Sequence, residues 1–213
     1  FSATKKCAAG KSNTRDRGSD PCDQRAGVDL RLSFPLGSNS LGLYTEYSGE
    51  DEAGGLPSHP MGLVGIDLAT AFADGEQRFY LEHADTTTGG LWGGNELPNY
   101  AYENGVYLTG YRFEGRNIAS TWEGDARVST LGANHFFRNR SSIALSFSHA
   151  ELNRDDTLQV RPPDAGIPQL ETLNTEVNIL TASYQQLLFN GELTLSGTWT
   201  DKEIITTTQV WPR

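Results

Sequence analysis

The stretch NGVYLTGYRFEGRNIASTWEGDARVSTLG, residues 104–132, reads as three short β-segments, broken at Glu114-Gly115-Arg116 and again at Glu123-Gly124-Asp125. In the first of them Tyr107, Thr109, Tyr111 and Phe113 share one face, and Gly110, Arg112 and Glu114 share the other. That is the period of 2 of a strand with two different surroundings. One face suits an apolar medium and the other suits water.

The same alternation recurs on either side. Val28, Leu30, Leu32, Phe34 and Leu36 alternate with Asp29, Arg31 and Ser33 up to the turn Gly37-Ser38-Asn39-Ser40. Leu41, Leu43, Thr45 and Tyr47 oppose Tyr44, Glu46, Ser48 and Glu50. Val64, Ile66, Leu68 and Phe72 alternate with Gly65, Asp67 and Ala69, and after Asp74-Gly75-Glu76-Gln77 the pair Phe79 and Leu81 opposes Tyr80, Glu82 and Ala84. Ile143, Leu145, Phe147 and His149 oppose Ala144, Ser146 and Ser148. The Asn190-Gly191 signal for a tight hairpin introduces Leu193, Leu195, Gly197 and Trp199, opposed by Thr194, Ser196, Thr198 and Thr200.

Composition agrees with an all-β chain: 213 residues hold 23 glycines, 8 tyrosines and 9 phenylalanines but 1 methionine. A mean hydropathy of -0.48 counts against membrane helices only, because barrel strands average lipid-facing with water-facing residues. No apolar run reaches the ~18 residues of a spanning helix. The net charge of -10 repels phosphate backbones, so no nucleic-acid partner is expected.

The alternation of short turns with longer loops assigns sides, since outer-membrane barrels have short periplasmic turns and long outer loops. Turns near residues 38, 75, 115, 140 and 190 are expected to be periplasmic, and loops near 55, 96, 124 and 163 to be extracellular. This predicts an antiparallel transmembrane β-barrel with about ten strands in this chain. The first strand then descends and the last ascends, so the chain is expected to be cut at both ends in outer loops. Its start at Phe1, with no signal segment, agrees with that expectation. Seven strands before it and one after would give a barrel of roughly 18 strands; the alternative is that about ten strands close alone. Residues 1–213 are read as part of one barrel domain. Residues 1–25 form an outer loop, which a Cys7–Cys22 disulfide would stabilise by on the order of 3 kcal/mol; two unpaired loop thiols are the alternative.

The run Gly110-Tyr111-Arg112-Phe113-Glu114-Gly115-Arg116-Asn117-Ile118, followed by Glu123-Gly124-Asp125, resembles the central motif of the Wzi-type capsule assembly proteins. Gly27-Val28-Asp29-Leu30-Arg31, Tyr47-Ser48-Gly49-Glu50-Asp51-Glu52-Ala53 and Leu81-Glu82-His83-Ala84-Asp85-Thr86 resemble the blocks that precede that motif. The resemblance covers roughly residues 26–150 and implies a barrel in the bacterial outer membrane that holds or assembles surface polysaccharide.

Sugar recognition needs hydroxyl partners and aromatic faces. The outer-loop candidates are Glu50, Asp51, Glu52, Trp92, Tyr100, Tyr102, Glu123 and Asp125. Asp29, Arg31, Glu46, Glu82 and Arg112 are candidate lumen charges, which in any barrel can also satisfy one another across neighbouring strands. Trp122 and Trp199 are expected at the lipid interface. The acidic run Glu50-Asp51-Glu52 has the oxygen chemistry for Ca²⁺, but a solvated loop is the favoured reading. His59, His83, His135 and His149 stand in no metal-binding context, so no metal and no cofactor is expected. No Gly-x-Ser-x-Gly elbow or phosphate-binding Gly-rich loop occurs, and the expectation is a non-enzyme.

Partners beyond polysaccharide are outer-membrane lipid, lipopolysaccharide and other outer-membrane or assembly subunits. Two rival readings use the same alternation. One is a passive pore, and the other is a soluble β-sandwich lectin with its apolar faces packed together.

Overall fold

The computed structural model describes residues 25–53, 56–72, 74–89, 96, 97, 100–102, 111–113, 116–122, 124–154, 170–172, 174–189, 191–204 and 206–208. Eight strands form one antiparallel sheet: β1 (Arg25–Leu36), β2 (Asn39–Ala53), β3 (Leu56–Phe72), β4 (Gly75–Asp85), β7 (Ala126–Phe137), β8 (Ser142–Leu152), β10 (Thr175–Leu188) and β11 (Gly191–Thr200). Each pairs with the next in that order, and β1 and β11 are the two edges. The short pairs β5 (Arg112–Phe113) with β6 (Arg116–Asn117), and β9 (Leu170–Thr172) with β12 (Thr206–Thr208), stand apart from it.

Even the shortest of the eight, with 10 residues, meets the ~9–11 residues that a tilted strand needs to cross a bilayer. β2 and β3, with 15 and 17 residues, run past that length. Glu50, Asp51 and Glu52 fall near the end of their hairpin.

The registers sort the side chains as the alternation predicts. One row across the sheet reads Leu32, Leu43, Ile66, Leu81, Leu131, Phe147, Leu180 and Trp199, and the next reads Phe34, Leu41, Leu68, Phe79, Ala133, Leu145, Ala182 and Gly197. The large apolar members of these rows are exposed or half-buried, from Phe34 through Leu81 and Leu131 to Trp199. A water-soluble sandwich would bury them against a second sheet. A single layer with this face bare instead requires lipid, and the sandwich reading falls.

The opposite face is polar: Arg31, Tyr44, Gly65, Glu82, Thr130 and Ser148 form one of its rows. On the apolar face the row Leu30, Thr45, Val64 turns polar at His83, Ser129, His149 and Asn178. Tilted barrel strands give this result, because rows of constant register climb relative to the membrane plane.

Two expectations are corrected. The stretch expected to hold two further strands, over 107–114 and 117–122, adds no strand to the sheet among the described residues: β4 pairs directly with β7 over Gly75–Asp85, and the described residues between them form the two-residue pair β5–β6 and a bridge between Thr88 and Leu97. At about 8 and 6 residues neither segment reaches the ~9–11 needed to cross, whereas β7 offers 12. The sheet therefore has eight strands rather than about ten, and position 115, expected in a short turn between two strands of the wall, falls in the connection between β4 and β7. Short and long connections do not alternate strictly, because β2 and β3 run on to Ala53 and Leu56 and only residues 54 and 55 separate them in place of the expected longer loop, while residues 86–125 separate β4 from β7. Gly37, Asp74, Arg140 and Phe189 take φ of 64°, 60°, 67° and 55° in four of the short turns, the left-handed geometry of tight hairpins.

Glycine makes room on the inner face. A Cβ at Gly65 would overlap the Tyr44 ring, and one at Gly132 the Tyr80 ring, so both rings lie flat on the neighbouring strand. Gly132→Leu should displace Tyr80 and cost roughly 1–3 kcal/mol through overpacking. Urea unfolding of the folded protein in detergent measures it, and an unchanged midpoint would show that the ring has free room.

Candidate functional site

Two polar constellations are built on this wall. The first lies inside. Asp67 on β3, 3% exposed, accepts from Arg31 Nη2 at 2.9 and 2.7 Å and from Arg78 Nε and Nη2 at 3.1 and 2.8 Å. Arg31 comes from β1 and Arg78 from β4, so one carboxylate joins three strands. Arg31 also lies 5.2 Å from the centre of the Tyr44 ring, and Arg78 lies 5.5 Å from that of Tyr80, within cation–π range. Tyr44 donates its hydroxyl to Glu82 Oε1 at 2.6 Å. These groups satisfy one another.

The second lies at the end of the sheet where β4 and β7 meet the long connection between them. The chain leaving β4 turns back at once, because Thr87 N donates to Asp85 Oδ1 at 2.8 Å and Thr86 exchanges hydrogen bonds with Ala126. Arg127 Nε donates to Asp85 Oδ2 at 2.8 Å, and Arg127 Nη2 pairs with Glu96 of the outer loop. The other oxygen of Glu96 accepts from Arg154 Nη1 at 3.2 Å, while Arg154 Nε donates to Glu151 at 3.1 Å. Asp85, Arg127, Glu96, Arg154 and Glu151 thus alternate in sign along one chain of contacts. The Arg127 guanidinium first, and that of Arg154 with it, hold the Glu96 carboxyl below the usual carboxylate range.

On the polar face of the same strand ends, Ala126, Val128, Ala150, Leu152 and Val177 form a small apolar cluster against which Trp122 and Ile204 pack. Met61 packs with Ala101 and Tyr102, His59 meets Tyr100 with ring centres 4.5 Å apart, and Gly89 N donates to Pro60 O at 2.8 Å. The outer excursion is therefore fixed to the β2–β3 hairpin at one side and to β7 and β8 at the other.

A family model for the capsule assembly protein Wzi matches residues 2–209. The chain belongs to the Wzi family. No curated protein sequence matches it. Among solved structures it is similar to Wzi of Escherichia coli, described as an outer-membrane protein involved in group 1 capsule assembly and a carbohydrate-binding β-barrel. That likeness has a TM-score of 0.67 at 20% identity and covers 93% of this chain and 43% of the Wzi chain. The fold is that of an outer-membrane β-barrel wall, and this Wzi-family chain is an outer-membrane protein.

Within this Wzi-family sheet Asp29, Arg31, Glu46 and Glu82 share the inner face, and Arg31 and Glu82 sit in the inner network. Arg112 falls on β5, which pairs with β6 outside the eight-stranded sheet. Among the outer candidates, Glu50, Asp51 and Glu52 lie on β2 with side chains outside the described residues, as are Trp92, Glu123, Cys7 and Cys22. Tyr100 is half-buried against His59. Tyr102 and Asp125 are 8% and 2% exposed, and Asp125 accepts from Thr87 Oγ1 at 3.3 Å.

Trp199 lies in the lipid-facing row as expected, but Trp122 does not, since it packs on the inner apolar cluster. Sequence reasoning missed Arg78, Arg127, Arg154 and Glu96 as partners. The signal for Arg127 was a charge at an outward position of β7, two residues before Ser129, where the strand leaves the hydrocarbon.

Proposed function

We propose that this chain forms part of the wall and outer rim of an outer-membrane barrel that holds capsular or related surface polysaccharide without turning it over. The match of residues 2–209 to the capsule assembly family carries this reading. The outer rim supplies the means: a long hairpin with Glu50, Asp51 and Glu52 near its tip stands beside a pinned loop that presents Tyr100. Trp92 and Glu123 belong to the same excursion and join the candidate contacts. Residues that carry hydroxyl-accepting carboxylates, together with an aromatic ring, suit a neutral or amino-bearing sugar chain. Lipid and lipopolysaccharide contact the apolar rows, and further assembly subunits are candidate neighbours of the rim.

Purified protein in detergent, passed over immobilised capsular polysaccharides, should be retained on at least one of them. Tyr100→Ala should reduce that retention by about 5–10-fold, in line with loss of an aromatic anchor worth ~1–1.5 kcal/mol. The polar inner face favours one rival, a passive pore. Large steady currents in planar bilayers, with no retention on any polysaccharide, would establish the pore and reject the binder.

A further inference from the structure

We propose that Glu96 is the positioning residue of the outer rim: by holding one arginine with each carboxylate oxygen, it sets where the loop bearing Tyr100 sits, without itself touching sugar. The inference deepens the polysaccharide-holding reading and rests on it for its effect on binding, but not for its effect on the loop.

Three observations converge on Glu96. Its two oxygens are taken by arginines from different strand ends, Arg127 at the start of β7 and Arg154 just beyond β8. Both arginines are tied at their far sides to the sheet, Arg127 to Asp85 of β4 and Arg154 to Glu151 of β8. Each therefore works as a rigid post rather than as a flexible surface cation. Next to Glu96, Leu97 is bound back to Thr88, with Leu97 N donating to Thr88 O at 3.0 Å and Thr88 Oγ1 donating to Leu97 O at 3.1 Å. The loop is thus gripped at Glu96-Leu97, three residues before the Tyr100 to Tyr102 segment that meets the β2–β3 hairpin.

The chemistry explains why a carboxylate is needed at this point. Two guanidiniums that share one partner require an acceptor with two oxygens and a full negative charge. Glutamine offers one acceptor oxygen and presents its NH₂ donors to the second arginine. Aspartate keeps the charge but is one methylene shorter. The groups around Glu96 are Arg127, Asp85, Arg154 and Glu151, with Asp125 behind Thr87. The clasp holds two cations against three anions before Asp125 is counted. Removing the Glu96 charge leaves each arginine with its sheet-side carboxylate alone.

The experiment uses the protein folded in outer-membrane vesicles. Glu96→Gln should raise the rate of protease cleavage within residues 86–125 by about tenfold and lower polysaccharide retention by about fivefold, with the heat-modifiable gel shift of the folded barrel unchanged. Arg127→Lys, which keeps the charge but loses the two-point fork, should fall between the Glu96→Gln variant and the parent protein in both readouts. Unchanged cleavage in Glu96→Gln would overturn the proposal. Faster cleavage with no polysaccharide bound by the parent protein would uphold the clasp and reject the binding reading. Loss of the gel shift in Glu96→Gln would also overturn the proposal, because Glu96 would then serve barrel assembly rather than loop position.

Discussion

Leu131→Arg should destabilise the folded protein in a bilayer by about 2–4 kcal/mol, the cost of placing a guanidinium on a lipid face near mid-membrane. Leu131 lies in the centre of the row that runs from Leu32 to Trp199, with Leu81 and Phe147 as its register partners, and it is 59% exposed on the bare apolar face. An arginine there finds hydrocarbon and no anion in its own row.

The neighbouring Thr130 points the other way, between Glu82 and Ser148 in register. Thr130→Arg loses a hydrogen bond to Ser148 Oγ at 2.8 Å but gains Glu82 within its row, so the change should cost less than about 1 kcal/mol. Urea unfolding in lipid vesicles, followed by tryptophan emission, compares the two. A reversed order, or equal costs, would mean that the apolar rows do not face hydrocarbon, and the assignment of sides would fail with it.

Asp67→Ala should be the most damaging change on the inner face. It leaves Arg31 and Arg78, which reach Asp67 from β1 and β4, with no anion between them. Breaking a fully buried pair costs ~3–5 kcal/mol. Here the arginine side chains are 50% and 40% exposed, so water screens part of the loss and about 1–3 kcal/mol is expected. Adding Arg31→Met and Arg78→Met to Asp67→Ala should recover most of it, because the cost comes from stranded charge rather than from lost packing. If the triple variant were no better than the single one, the carboxylate would matter for something other than its two arginines.

The outer clasp carries a pH dependence of known sign. The folded Glu96 carboxyl titrates below its unfolded value, so its contribution is present above the unfolded pKa of about 4.3. It is lost as pH falls through the lower folded value. Protease cleavage of the outer loop should therefore stay slow at neutral pH and rise only in the acid range below pH ~4. In Glu96→Gln that acid step should disappear.

Much of this protein is legible in its sequence. Val28 to Leu36, Leu41 to Tyr47 and Leu193 to Thr200 show their faces by alternation alone, because in a strand the side a residue occupies depends only on its parity. The short turns are equally local, since left-handed backbone at Gly37, Asp74 and Arg140 follows from turn chemistry within a few residues. The shared face of Asp29, Arg31, Glu46 and Glu82 follows from the same parity.

What alternation does not report is which segment obtains a partner edge. Residues 107–114 alternate as well as any barrel strand, yet β4 gives its edge to β7, whose 12 residues can cross a bilayer where about 8 cannot. Partner choice among charges is likewise tertiary. Arg31 meets a carboxylate 36 positions away, and Glu96 meets Arg154 at a separation of 58. Only the folded sheet brings those positions together, because register and loop path, set by many strand pairings at once, fix which opposite charges come within reach.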